Sequence, residues 1–183
     1  MATYSNATKL IFGQADITFD GTPIPLLAEA VFFKAEPTYT DIKIYDFGEG
    51  PVDKICTGWN ITVTLALAEE SIAALELAMP VTKQTGINAD AGKFNAVDAP
   101  VGQSLRAKGA ELYIHPRQAG LDKSTDITVY MAVPTGSFER NYGFEQGKIP
   151  VTFTAMPKDG AVSGESGNYF CFGDADLDVD LGS

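Results

Sequence analysis

The sequence predicts a mainly β protein: an antiparallel β-sandwich or half-barrel with one flanking α-helix and a long β-hairpin arm. Three observations predict it. Short stretches of alternating apolar and polar residues recur along the chain between Gly/Pro-rich turns. Only one segment switches to helical spacing, about residues 69–79. The strand feeding that helix is the cleanest in the chain: Trp59, Ile61, Val63, Leu65 and Leu67 alternate with Asn60, Thr62, Thr64 and Ala66.

Taken in order, Lys9–Phe12 is a short apolar run, and Ala15–Phe19 leads into Asp20-Gly21, a hairpin signal between Ile17/Phe19 and Ile24/Leu26. Pro23 and Pro25 push the return strand to a sheet edge, because proline cannot donate to a ladder. Leu27–Glu36 carries Val31 and Phe33 on one side and Phe32, Lys34 and Glu36 on the other, so a strand covered on both faces is expected. Thr40–Phe47 alternates Ile42 and Ile44 with Lys43, Tyr45 and Phe47; Gly48–Pro51 is a loop tip, and Val52–Thr57 leads into the central strand. Residues 36–57 thus read as a two-stranded arm, which in isolation would be marginal in water.

In the helix, Ile72, Leu75 and Met79 form the apolar stripe with Ala68, Ala73 and Ala78 beside it. Glu69 and Glu70 suit the first turn, and Pro80 stops it. Residues 81–104 show no periodicity and read as a long loop, a length usually functional or disordered. Lys108–His115 is a strand closed by Pro116, and Arg117–Thr125 is a polar loop. Ile127, Val129, Met131 and Val133 alternate with Thr128, Tyr130 and Ala132 up to Pro134. Phe138–Phe144 and Lys148–Met156 are expected to pair around Gln146-Gly147. Lys158-Asp159-Gly160 is a turn and Tyr169–Phe172 a last strand. No repeat is present at solenoid periods.

At 183 residues the chain is expected to be a single domain, 1–183, large enough to bury roughly 70% of its unfolded surface without staples. Its 24 acidic and 13 basic residues leave a formal charge of −11, and no Lys/Arg cluster stands out, so tight nucleic-acid binding is not expected. The beginning of the sequence has neither a basic n-region nor a continuous apolar h-region, and no run approaches the ~18–20 apolar residues of a membrane span, so neither a signal peptide nor membrane insertion is expected. Under that expectation Cys56 and Cys171 are lone buried thiols, and the glycosylation sequons at Asn6 and Asn60 are coincidental.

Few residues carry chemistry. The one histidine, His115, has no Cys or His at ligand spacing and is expected to be structural. No nucleophile elbow, P-loop or dinucleotide fingerprint is present. No metal site, cofactor or catalytic group is therefore expected. Asp174, Asp176, Asp178 and Asp180 alternate with small or apolar residues. The series resembles a D-x-D-x-D calcium loop but lacks the glycine at loop position 6, so a terminal strand with one acidic face, or a solvated tail over 174–183, is expected instead.

Three stretches together resemble the major tail tube proteins of long-tailed bacteriophages, chiefly those with flexible, non-contractile tails. The first is TDIKIYDFGEGPVDKICTGWNITVTLALAEESIAALELAM, with a Gly-Pro loop, a Gly before an amphipathic strand, and Leu-x-Glu opening the helix. The second is GAELYIHP and the third VTFTAMPKDG. The match covers roughly residues 9–160 and is one of pattern rather than identity; the acidic end is not matched.

The resemblance implies a structural subunit, not an enzyme, that self-assembles into six-membered rings stacked as a tube. Long hairpins of neighbouring subunits would pair edge to edge around a lumen that conducts DNA during genome ejection. It implies the arm 36–57 as the stacking element, with Asp41, Lys43, Tyr45, Asp46, Phe47, Glu49 and Pro51 as contacts, and 81–104 as a second assembly loop ordered only in the tube. It also implies tape measure, tail terminator and distal tail proteins as partners, and a virion-tail location after assembly in the host cytoplasm. Six copies would carry on the order of 66 formal negative charges, a field that keeps DNA from adhering to the wall. Asp174, Asp176, Asp178 and Asp180 are candidates for the lumen side.

Contractile-phage inner tubes and type VI secretion tubes share that pattern. In other classes stand a secreted carbohydrate-binding sandwich, with Tyr39, Tyr45, Trp59, Tyr113, Tyr130 and Tyr142 as stacking platforms, and a jelly-roll esterase or glycosidase, disfavoured by the single unpaired histidine.

Overall fold

A computed structural model of the chain describes residues 13–24, 27–68, 72–80, 82–88, 93–139 and 147–177. The protein is mainly β. Among the described residues its strands are β1 (Ala15–Phe19), β2 (Thr22–Pro23), β3 (Phe32–Ile42), β4 (Asp53–Leu67), β5 (Thr82–Asn88), β6 (Lys93–Asp98), β7 (Ala110–Pro116), β8 (Ile127–Pro134), β9 (Ile149–Ala155) and β10 (Phe170–Phe172), with one short helix, α1 (Ile72–Ala78). Eight strands form one antiparallel sheet in the order β2-β1-β7-β8-β9-β4-β3, with β10 on the free part of β8.

The sheet curls on itself. Ile24 donates its N–H to Ile17 of β1 at 2.8 Å, and three residues later Leu27 bridges to Leu67 of β4. Three residues span at most about 11 Å. In a flat sheet β1 and β4, four strand spacings apart here, would be separated by roughly 19 Å. The two ends of the sheet must therefore approach each other, and the rings of Phe19 on β1 and Phe153 on β9, 5.0 Å apart, meet across the enclosed space. This is the expected half-barrel. Its filling is Val63, Leu65 and Leu67 from β4, Val151 and Phe153 from β9, and Leu112, Ile114 and Val129 from β7 and β8.

Asp20-Gly21 makes the expected two-residue hairpin, with Thr18 opposite Pro23. Both turn residues have positive φ, 51° and 69°, as a type I′ turn requires. β2 ends the sheet, as its proline requires.

Several expectations are corrected. The strand expected over Thr40–Phe47 ends at Ile42 and is continuous with Phe32–Pro37, forming a single 11-residue β3. Tyr45–Phe47 is a 3-10 turn instead, because Gly48 at φ 80° closes it by donating its N–H to Tyr45 O at 3.1 Å. Residues 81–104 are not an irregular loop: β5 and β6 pair as a separate antiparallel hairpin, Thr82 opposite Asp98. The sequences Thr-Lys-Gln-Thr-Gly-Ile-Asn and Lys-Phe-Asn-Ala-Val-Asp hold few apolar residues, so the periodic record there is weak. In Lys148–Met156, β9 lies between β4 and β8 and pairs with both. Phe138 and Glu139 lie outside any strand, and the rest of that expected strand lies outside the described residues.

Among the described residues the expected helix covers Ile72–Ala78, and Glu69 and Glu70 lie outside them. Its contact face is Ala74 and Ala78, both fully buried, with Leu77 packed beside them, whereas Leu75 and Met79 are half-buried. Small side chains let the helix backbone lie close on the barrel. In β8 the expected set Val129, Met131 and Val133 is split. Leu112 faces Val129 while Ala110 faces Ala132, so two residues of β8 stand opposite one of β7. This bulge flips the alternation and turns Ala132 into the core with Val129, while Met131 and Val133 pack over Gly109.

Candidate assembly surface

The arm follows from unequal strand lengths. β3 and β4 pair from Phe32/Thr64 to Ile42/Asp53, but β9 reaches only Thr62–Leu67 of β4. From Ile61 to Asp53 the hairpin runs on by roughly 25 Å with no strand partner on either side among the described residues. One bulge interrupts it: Thr38 faces Gly58 and Tyr39 faces Cys56, leaving Thr57 extra, whose hydroxyl donates to Thr38 O at 3.3 Å. At the root, Trp59 packs edge-on against Phe170 at 5.6 Å, and Phe33 lies on the same ring at 5.7 Å. Trp59 alternates with core residues and was expected among them, yet it is 40% exposed, because β9 no longer covers β4 there.

All seven expected contact residues lie on the exposed arm, and the structure brings them together over its end. Asp41 and Lys54 face each other and form an ion pair at 3.2 Å. Lys43, Asp46, Glu49 and Pro51 are exposed around the tip. Tyr45 is 98% and Phe47 74% exposed. Sequence reasoning missed the apolar residues behind them: Tyr39, Ile42, Ile44, Val52 and Ile55 are exposed as well. Phe32, expected to be covered, is 61% exposed within this chain. A signal was present: Ile42 and Ile55 fall on one face of the hairpin and Tyr39 and Cys56 on the other, so neither face is polar. Cys56, expected to be buried, is exposed; Cys171 is half-buried, and neither forms a disulfide.

Such an edge is unusual. Five carboxylates against two lysines over 36–57 give it a net negative charge, and the edges and both faces offer hydrogen-bonding and apolar surface. Beside the arm root, a groove of about 600 Å³ runs between Cys56–Trp59 and the glycine-rich loop 161–170. That loop is held by Asn168, whose side-chain amide donates to Val162 O and Glu165 O, each at 2.9 Å.

Of the acidic series, Asp178 and Asp180 lie outside the described residues. Asp174–Leu177 is a turn rather than the start of a strand: Asp176 N–H donates to Asp174 Oδ1 at 3.1 Å and Leu177 N–H to Asp174 O at 3.3 Å. Lys123 anchors it, with Nζ 2.6 Å from Asp176 and 3.7 Å from Asp174. That lysine lowers the Asp176 pKa, first through the hydrogen bond and then through its charge.

His115 is built into the wall. Asp126 is fully buried, and its carboxylate accepts from His115 Nδ1 at 2.7 Å and from the Tyr113 hydroxyl. His115 Nε2 is 3.0 Å from Gly120 O. The hydrogen bond to Asp126 raises the Tyr113 pKa to about 12, aided by burial, and is the largest cause raising that of His115, against burial. Among the described residues no group of three or more His, Cys, Asp or Glu could hold a metal ion. No helix among them is long and apolar enough to cross a membrane.

No protein-family model matches the chain, and no curated protein matches it.

Proposed function

We propose that the protein is a structural subunit that self-assembles through its arm, in the manner of a phage tail tube: six-membered rings stacked into a tube whose lumen conducts DNA. The observation that carries this reading is the projecting hairpin, without a strand partner on either side among the described residues, ending in Tyr45 and Phe47 at 98% and 74% exposure. A monomer gains nothing by ordering such an arm in water; a second copy pairing with its edges satisfies the backbone and covers the aromatics. The pattern resemblance set out above names the kind of assembly, and the net charge of −11 suits a wall past which DNA slides. On this reading the protein is not an enzyme. It resides in the virion tail after assembly in the host cytoplasm, and it meets tape measure, terminator and distal tail proteins at the tube ends.

One observation favours a second reading, a carbohydrate-binding module: Trp59 borders the groove of about 600 Å³ beside the glycine-rich loop. Negative-stain electron microscopy with light scattering on the concentrated protein separates the two. Rings or tubes that vanish on deleting residues 47–51 support the assembly reading. Tubes that survive the deletion would undermine the arm's role; a monomer that binds glycans through Trp59 would favour the second reading.

A further inference from the structure

We propose that His115, Asp126 and Tyr113 form a proton-controlled latch: with His115 doubly protonated it closes the turn 117–126 and holds the segment 173–177, and loss of the Nε2 proton opens both. The inference is independent of the assembly reading.

The protonation state follows from the acceptors. Gly120 O is a carbonyl and only accepts; with Asp126 as a carboxylate the 3.0 and 2.7 Å contacts fit a ring that donates from both nitrogens, an imidazolium. The Nδ1 proton is held by the carboxylate, so the Nε2 proton leaves first. The neutral ring then turns a lone pair toward the Gly120 carbonyl, and the contact becomes repulsive. Gly120, at φ 64°, follows the 3-10 turn Arg117–Ala119 and presents the carbonyl that loses its donor. Asp126 carries the change onward: its carbonyl accepts from Gly173 N–H at 2.8 Å, and Lys123, within the turn, binds Asp174 and Asp176.

The charges around the ring come from every side. Asp16 on β1 stands directly opposite His115 and is paired with Arg117 at 2.6 Å; Tyr113 lies on β7, Asp122 and Lys123 in the turn, Asp126 at the head of β8, and Asp174 beyond β10. Asp126 and Asp16 both favour the imidazolium. The sign is set by a folded pKa above the ordinary one: the latch is fully closed below about pH 6.5 and is lost as pH rises through the folded value, with opening favoured by roughly tenfold for each pK unit of separation.

His115 is the chain's single histidine, so its ring resonances need no assignment. The test is a ¹⁵N titration of the ring in the full chain, with amide hydrogen exchange corrected for intrinsic pH dependence. The expected result is two protonated ring nitrogens at pH 6. Above the midpoint, exchange should rise at 120–126 and 173–177 while β4 and β9 stay protected. His115→Gln, which keeps an amide donor and cannot titrate, should flatten that dependence. A neutral ring at pH 6, or equal protection on both sides of the midpoint, overturns the latch. So does a pH dependence that persists in His115→Gln.

Discussion

The two halves of β4 belong to one strand and have opposite fates. Ile61, Val63, Leu65 and Leu67 are at most 4% exposed, whereas Trp59 and Ile55 are 40% and 50% exposed. The strand is continuous and pairs with β3 along nearly its whole length. What changes at Thr62 is the other neighbour: β9 accompanies only the second half. Period-2 patterning reports that a strand can bury one face; whether it does depends on what the chain brings beside it.

Substitutions sharpen or break this contrast. The largest effect belongs to the barrel. Phe153→Ala should cost about 3–5 kcal/mol by urea unfolding, because a fully buried ring leaves a cavity that β1 and β9 cannot close. Asp126→Ala should cost about 2 kcal/mol, since it strands the Tyr113 hydroxyl and a His115 donor at a buried site. Gly109→Ala should cost about 1–2 kcal/mol: its backbone tolerates a side chain, but a Cβ there would lie 2.7 Å from both Met131 Sδ and Val133 Cγ2. On the arm, Tyr45→Ser with Phe47→Ser should leave stability within about 0.5 kcal/mol while abolishing any assembly seen by light scattering. If this pair instead lowered the urea midpoint as far as Phe153→Ala, the arm would belong to the cooperative core and the contrast would fail. The smallest effect is Lys54→Ala, a few tenths of a kcal/mol at most, for an exposed ion pair.

Much of the barrel was legible because burial leaves a periodic record. Ile149, Val151 and Phe153 alternate and are buried, and Asp20-Gly21 names its own turn. The misses share a cause. The bulge in β8 and the 3-10 turn at Tyr45–Phe47 break the period locally, so counting by twos carries residues to the wrong face. The β5–β6 hairpin holds few apolar residues, Ile87 alone in β5, and left little to count. The arm itself was visible as two alternating runs around a Gly-Pro tip, and all seven of its suggested contacts are exposed. The apolar residues behind the tip were not among those contacts, because one-dimensional spacing holds no information about a missing third strand.

The sequence by itself determined that this is a mainly β chain, where its first hairpin turns, and that the chain is acidic. These are local or compositional properties, set by backbone preference, side-chain alternation and charge. Tertiary structure alone decided that the sheet curls until Leu27 meets Leu67, that β9 stops short of the arm, and that Tyr113, His115 and Asp126 share one proton network. Each depends on which distant segments become neighbours, and that is settled by the whole core closing at once.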